Sequence, residues 1–128
     1  MNLIYLNILC ALLTVTTNTL FKYKLQGNLV WKDSVLTFAL DLFYNFKNPL
    51  LVLSLFIFIL TNSLWIFILS TQNLSFALPF QIALVFLISI VFSYFIFNEK
   101  FTFQYLVGLI FVVIGIILIS IANESSND

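Results

Sequence analysis

Apolar residues form four long runs along this chain, and short polar stretches separate the runs. Each run has about 20 residues, which as an α-helix rising ~1.5 Å per residue crosses a hydrocarbon core of roughly 30 Å. The pattern predicts one membrane domain over residues 1–122 and a polar tail at residues 123–128. The transmembrane helices of this domain are expected at residues 3–21, 49–71, 76–97 and 103–122.

The first loop contains a shorter segment with a different pattern. Within residues 34–46, apolar residues surround one narrow polar face made of Ser34, Thr37, Asp41 and Asn45. The segment is too short and too interrupted to span a bilayer. The pattern predicts a short helix that lies in the membrane interface, and the alternative is a lid that packs against the bundle.

The composition agrees with a membrane location. Of the 128 residues, 62% are hydrophobic and 8% are charged, and the mean hydropathy is +1.15. A soluble domain of this size cannot hide so much apolar surface, so the predicted fold class is an all-α membrane protein with four transmembrane helices and one interfacial helix.

The charged and metal-binding residues exclude several classes of function. The net charge is zero and the chain has neither arginine nor histidine, which argues against binding of nucleic acid. The single cysteine, Cys10, offers neither a disulfide framework nor a cysteine metal site. We expect no metal, no other cofactor and no catalytic residue, because no pair of nucleophile and base is evident.

Polar residues inside the first predicted helix lie on one face. Asn7, Ala11, Thr14 and Asn18 recur at steps of four, three and four. Lipid cannot satisfy such a face, so it must point toward other helices or toward a wet cavity. The face therefore serves either hydrogen bonding between helices or a path for a substrate.

Two residues in later helices are further candidates for a substrate path. Trp65 lies deep inside the second run, where its indole either lines a cavity or packs against a neighbour. Pro79 lies in the first turns of the third run, where it either starts the helix or bends it near a cavity mouth.

The lysines predict the orientation of the chain. All five lie in the first and third loops: Lys22, Lys24, Lys32, Lys47 and Lys100. Because positively charged loops stay in the cytoplasm, both termini are expected outside. The N-terminal run has no basic segment before it and no small-residue cleavage site, so we interpret it as a retained helix.

The last predicted helix carries two glycines on one face with Val112. Gly108, Val112 and Gly115 follow one another at steps of four and three. Small residues let membrane helices approach closely, so the face predicts either dimerisation or packing of this helix on the third.

Taken in order, these residues resemble the drug/metabolite transporter superfamily in its four-helix, EamA-like form. The similarity covers most of the chain and includes Asn48-Pro49, the stretch from Ser75 to Pro79, the turn Asn98-Glu99-Lys100 and Gly108. The superfamily includes the small multidrug resistance proteins and the small subunits of the undecaprenyl-phosphate–aminoarabinose flippase. The resemblance implies a bacterial-type inner membrane and assembly in pairs, commonly antiparallel. The one-sided lysines favour a parallel homo-oligomer or a heterodimer with an oppositely biased partner.

One departure from that family directs the functional hypothesis. Small multidrug resistance proteins carry a glutamate within their first helix, whereas the helix cores of this chain contain no acidic residue. A buried carboxylate is the usual means of binding a lipophilic cation. Glu99 lies at the membrane edge beside Lys100, where we expect it to cap a helix or pair with a lysine.

The leading hypothesis is therefore a transporter or flippase subunit for an anionic or lipid-linked substrate, such as a polyprenyl phosphate or its glycosyl form. Lys22 either holds the phosphate or only sets the topology. The first alternative is a multidrug-type exporter whose acidic residue comes from a partner. The second is a scaffold subunit that transports nothing, in which Asn7, Thr14, Asn18 and Trp65 would tolerate apolar replacement.

Overall fold

The computed structural model describes residues 3–27 and 34–125, and within them the chain is all helical. The five helices in order are α1 (Leu3–Leu25), α2 (Val35–Asn45), α3 (Pro49–Thr71), α4 (Leu74–Phe97) and α5 (Phe103–Ser125). Lys32 and the last three residues of the predicted tail, 126–128, lie outside the described residues.

The helix ends follow local backbone chemistry. Ser34 accepts a hydrogen bond from the backbone N–H of Leu36 at the start of α2, and Asn48 accepts one from Leu50 at the start of α3. Pro49 occupies the first turn of α3, where the missing N–H of proline leaves no unmet donor. Thr102 accepts from the N–H of Tyr105 (3.4 Å) at the start of α5, which is the capping role that its position favours.

Three helix ends differ by two or more residues from the pattern-based expectation, whereas α2 is one residue shorter at each end than the expected 34–46. Helix α1 continues to Leu25, so Lys22 and Lys24 lie in its last turn and not in a loop. Their positive charges interact favourably with the negative, C-terminal end of the helix dipole. Helix α4 starts at Leu74, two residues early, because the turn after α3 needs only Gln72 and Asn73. The backbone of α5 extends to Ser125, three residues beyond the expected end.

Helix α1 is the centre of the bundle. It packs against α3 on one side and against α4 on the other, while α3 and α4 contact each other only slightly. Its buried residues include Leu6, Asn7, Cys10 and Ala11, and a small core joins Leu6 and Cys10 to Ile68 of α3. Helix α5 packs on α4.

The outer surface is apolar along most of its length. Within the described residues, three helices are long and apolar enough to cross a membrane: Leu3–Leu25, Pro49–Thr71 and Leu74–Phe97. The apolar part of α5, Phe103–Ile119, is shorter. Large apolar side chains of α3 and α4 are exposed, among them Phe56, Ile59, Ile66, Ile82 and Phe95. Such a surface is compatible with an all-α membrane protein.

Contacts between the helices give the ends of the bundle distinct chemistry. Asn7 near the start of α1 contacts Gln72 at the end of α3, and Lys22 near the end of α1 contacts Glu99 after α4. Successive long helices therefore run in opposite directions. Lys22 and Lys24 lie at one end together with the α4–α5 turn and the start of α3.

Candidate functional site

A cavity of about 340 Å³ lies where α1, α3 and α4 meet. Helix α1 contributes Cys10, Thr14, Thr17 and Asn18 to its wall, and α3 contributes Phe58, Thr61, Asn62 and Trp65. Helix α4 contributes Leu78, Gln81, Ile82 and Val85. The structure thus brings three of the predicted path residues, Thr14, Asn18 and Trp65, to one cavity.

The hydroxyl groups of this wall are oriented by their own helices. Thr14 donates to the carbonyl of Cys10 (2.8 Å), Thr17 to that of Leu13 (2.9 Å) and Thr61 to that of Ile57 (2.7 Å). Each hydroxyl proton is used in this way, so the hydroxyl oxygens remain as hydrogen-bond acceptors.

Two groups of the same wall remain as hydrogen-bond donors. Within residues 3–27 and 34–125, neither the carboxamide of Asn18 nor the indole N–H of Trp65 has a hydrogen-bond partner. The cavity therefore offers both donors and acceptors, all uncharged, above an apolar floor. Such a wall suits a polar, hydroxylated group attached to an apolar chain.

The cavity opens between α3 and α4, because both helices pack on α1 and hardly touch each other. Phe58 and Ile82, one from each side of the opening, are 47% and 64% exposed. The opening lies along the apolar outer surface. The opening is therefore flanked by apolar side chains.

A second, smaller cavity of about 160 Å³ continues the first toward the end of the bundle that holds Lys22 and Lys24, here called the lysine-rich end. Asn18 lines both cavities and connects them. Lys22, Ser89 and Ser93 line the second cavity together with Phe92 and Phe97. Together the two cavities form a polar track along α1, from Thr14 near its middle to Lys22 in its last turn.

The end of the polar track holds an ion pair. Lys22 Nζ contacts a carboxylate oxygen of Glu99, and Ser93 donates its hydroxyl proton to the other oxygen. Lys22 Nζ also lies 4.3 Å from the ring centroid of Phe97. The hydrogen bonds from Lys22 and Ser93 lower the pKa of Glu99 below its ordinary value of 4.5, so the carboxylate is charged at neutral pH.

A left-handed turn presents Glu99 to these partners. Asn98 ends α4 with φ of 51°, a conformation that asparagine tolerates better than most residues. The N–H of Glu99 then bonds to the carbonyl of Ser93 at 3.3 Å. Glu99, beside Lys100 in the sequence, was expected to cap a helix or pair with a lysine, and it pairs with Lys22, which lies 77 residues earlier.

Asn7 lies outside the larger cavity, in a cluster of amides near the opposite end of the bundle. Its Nδ2 donates to the carbonyl of Leu3 (2.9 Å) and to Oε1 of Gln72 (3.3 Å). In the orientation that satisfies its amide, Gln81 donates to the carbonyl of Asn7 (3.2 Å) and accepts from the N–H of Ala11 (3.1 Å). Asn7 thus joins α1 to α3, and Gln81 joins α4 to α1.

Gln81 was not among the residues predicted to line a substrate path, although it joins the larger cavity to this cluster. A lone glutamine in an otherwise apolar run is the signal that would have found it. The oxygen Oδ1 of Asn7 is buried and has no hydrogen-bond partner in the described part of the chain.

Pro79 and the glycine face of α5 lie away from the polar track. Pro79 lines two outer grooves, one of which runs between α4 and α5 past Val112 and Gly115. A Cβ atom added at Gly108 or at Gly115 would meet no atom of residues 3–27 and 34–125 within 4 Å. Neither glycine is therefore required for a close approach of helices within this chain.

No group of three or more histidine, cysteine, aspartate or glutamate side chains in the described ranges could hold a metal ion. Compared with models of protein families, with curated proteins and with solved structures, the chain matches none.

Proposed function

We propose that the chain is a subunit of a membrane transporter or flippase that moves an anionic amphiphile, such as a polyprenyl phosphate or its glycosyl form. The observation that carries the proposal is the polar track, which opens between α3 and α4 on the apolar outer surface and leads along α1 to Lys22. An enclosed pocket would suit a soluble metabolite, whereas a side opening suits a substrate that keeps its chain in the membrane.

The proposal includes four transmembrane helices, α1, α3, α4 and α5, with α2 in the interface. The apolar part of α5 spans ~25 Å as a helix, close to the shortest length that crosses a bilayer. Helix α2 has no buried residue and exposes Val35, Leu36, Leu40 and Phe43. An amphipathic helix of this kind lies in the plane of the interface.

The orientation follows from the lysine-rich end. Lys22 and Lys24 in the last turn of α1 lie at the same end as the turn that carries Lys100, and the order of helices brings the start of α3 with Lys47 there too. By the positive-inside rule this end faces the cytoplasm and both termini face outward. The resemblance to the drug/metabolite transporter superfamily adds a bacterial-type plasma membrane as the proposed location.

The charges of the polar track favour an anion over a cation. None of the described residues that line the two cavities is acidic, and the one charged residue among them is Lys22, which pairs with Glu99 of the neighbouring turn. A lipophilic cation would require a buried carboxylate from a partner chain. A phosphate or carboxylate head group would instead approach the lysine-rich end, with hydroxyl groups beside Asn18 and Trp65.

A second four-helix chain, identical or similar, is the proposed partner. Four helices enclose little volume, and the α5 face with Gly108 and Gly115 is open within one chain. Membrane helices associate through such small-residue faces because they permit close van der Waals contact. Pairing at α5 would leave the side opening between α3 and α4 free.

The proposal is tested by reconstituting the full chain in liposomes that contain a fluorescently labelled polyprenyl phosphate. Loss of fluorescence on addition of a membrane-impermeant quencher measures how much lipid has crossed. We expect faster loss than in protein-free liposomes, and slower loss for Asn18→Leu than for the matched α3 variant Ser63→Ala, whose site is exposed and outside the two cavities.

Two other results would refute the proposal and select a rival. Resistance of cells to quaternary ammonium compounds, without lipid crossing, would favour the exporter of cations. If the activity of the protein in cells is unchanged when Thr14, Asn18 and Trp65 are replaced by apolar residues, the scaffold subunit that transports nothing is favoured.

A further inference from the structure

We infer that Lys22 and Ser93 form the binding site for the phosphate of the substrate, and that the carboxylate of Glu99 occupies this site until the substrate displaces it. The inference rests on the proposed function, because it assigns the end of the same polar track. It adds the position of the anion and a built-in competitor for that position.

The geometry at the end of the polar track is that of an anion site with an anion in it. One carboxylate oxygen of Glu99 accepts from the ammonium group of Lys22, and the other accepts from the hydroxyl of Ser93. Lys22 and Ser93 line the second cavity, but Glu99, which belongs to the turn after α4, does not. A phosphate presents the same pair of acceptor oxygens to the same two donors.

The donors keep their positions when the carboxylate leaves. Lys22 Nζ lies 4.3 Å from the ring centroid of Phe97, a cation–π contact that does not involve Glu99. Ser93 belongs to the regular part of α4. Only the turn at Asn98 and Glu99 has to move, and a turn rearranges more easily than a packed helix.

The ion pair is weak enough to be displaced. The side chains of Lys22 and Glu99 are 45% and 42% exposed, so solvent screens their attraction. A phosphate carries up to two negative charges near neutral pH and brings its apolar chain into the larger cavity. The substrate therefore has two advantages over Glu99, charge and chain burial.

The competition also couples binding to the α4–α5 turn. Glu99 ties this turn to the last turn of α1, so its displacement frees the turn. A phosphate held by Lys22 of α1 and Ser93 of α4 keeps the two helices joined in its place. Binding would thus release the turn without separating α4 from α1.

The test uses the full chain in neutral detergent with Trp31→Phe as background, which leaves Trp65 as the one tryptophan. The probe is dodecyl phosphate with a brominated chain, because bromine quenches the fluorescence of a tryptophan that it approaches. Trp65 lines the larger cavity, so quenching reports the bound chain. Inorganic phosphate is added as a competitor in a separate series.

We expect Glu99→Gln to bind the probe about two- to fivefold more tightly than the background protein, the range for losing competition from one exposed ion pair. Glu99→Asp, which withdraws the carboxylate by one methylene, should bind more tightly too. It serves as the second variant if Glu99→Gln fails to fold. Ser93→Ala and Lys22→Gln should weaken binding, whereas Lys24→Gln, the matched lysine outside both cavities, should not.

Three outcomes separate the possible failures. Equal or weaker binding by Glu99→Gln and Glu99→Asp, with normal quenching in the background protein, would overturn the inference alone. Tighter binding that persists in the double variant Lys22→Gln/Glu99→Gln would overturn it as well, because the gain must depend on Lys22. No quenching in any variant would overturn the proposed function itself.

The competitor series distinguishes the two sources of phosphate. If inorganic phosphate fails to displace the probe, the site takes a phosphate carried by a lipid, as inferred. If inorganic phosphate displaces the probe at comparable concentrations, the alkyl chain of the probe contributes nothing to its affinity. The assignment to a lipid head group is then refuted.

Discussion

Replacing Gln81 by leucine is expected to loosen the contact between α1 and α4. The Gln81 side chain is 7% exposed and makes two interhelical hydrogen bonds, to the carbonyl of Asn7 (3.2 Å) and from the N–H of Ala11 (3.1 Å). The two backbone atoms belong to the hydrogen-bond ladder of α1, so the substitution leaves neither of them unpaired. The substitution therefore costs two interhelical hydrogen bonds, and it leaves no buried polar atom without a partner.

The magnitude follows from membrane proteins in general. An interhelical hydrogen bond between membrane helices contributes about 0.6 kcal/mol on average and at most ~1.7 kcal/mol. Two of them predict a loss of about 1 kcal/mol in the free energy of unfolding, with ~3 kcal/mol as the upper bound. Leucine fills a similar volume, and lipid gives it no hydrophobic advantage between helices.

The assay is reversible unfolding in mixed micelles with increasing SDS, followed by circular dichroism. The matched control is Gln104→Leu in α5, an exposed glutamine for which we expect no loss. Equal stability of Gln81→Leu and Gln104→Leu would show that Gln81 does not hold α4 on α1. A loss well above ~3 kcal/mol would show that two hydrogen bonds do not account for its role.

Three further predictions concern other parts of the bundle. Asn7→Leu should leave the free energy of unfolding unchanged or raise it by ~1 kcal/mol in the same assay. The substitution loses the 3.3 Å hydrogen bond to Gln72, but it also removes a buried oxygen that has no partner in the described residues. A decrease of more than ~1 kcal/mol would contradict this. Because its partners lower the pKa of Glu99, the Lys22–Glu99 pair stabilises the fold above pH 4.5, and this contribution disappears as the pH falls through the lowered pKa. Thermal unfolding should therefore show a loss on going from neutral pH to about pH 3 that is smaller in Glu99→Gln, and equal losses would contradict it. Gly115→Cys should form disulfide-linked dimers in native membranes under mild oxidation, and the absence of a dimer from every α5 position tried would contradict pairing through this helix.

Local physical chemistry made the helices predictable from the sequence. Runs of apolar residues as long as Pro49–Thr71 have no stable conformation in lipid other than a helix, because every backbone group must find its partner within the run. The ends at Asn48 and Thr102 depend on side chains that bond within one turn. The polar face of α1 was visible for the same reason, since its period is that of a single helix.

The partners of those polar residues were decided only by the tertiary structure. Which helix lies against a given face depends on the packing of several helices at once, and lipid gives no hydrophobic preference between the choices. Glu99 pairs with Lys22, 77 residues earlier, and not with Lys100 beside it. This pairing results from the parallel packing of α1 and α4. The same packing turned Thr14 and Asn18 toward a cavity and Asn7 toward Gln72, although all three belong to one periodic face of α1. Periodicity along a helix thus determined which residues share a face, and the arrangement of neighbouring helices determined what each of them contacts.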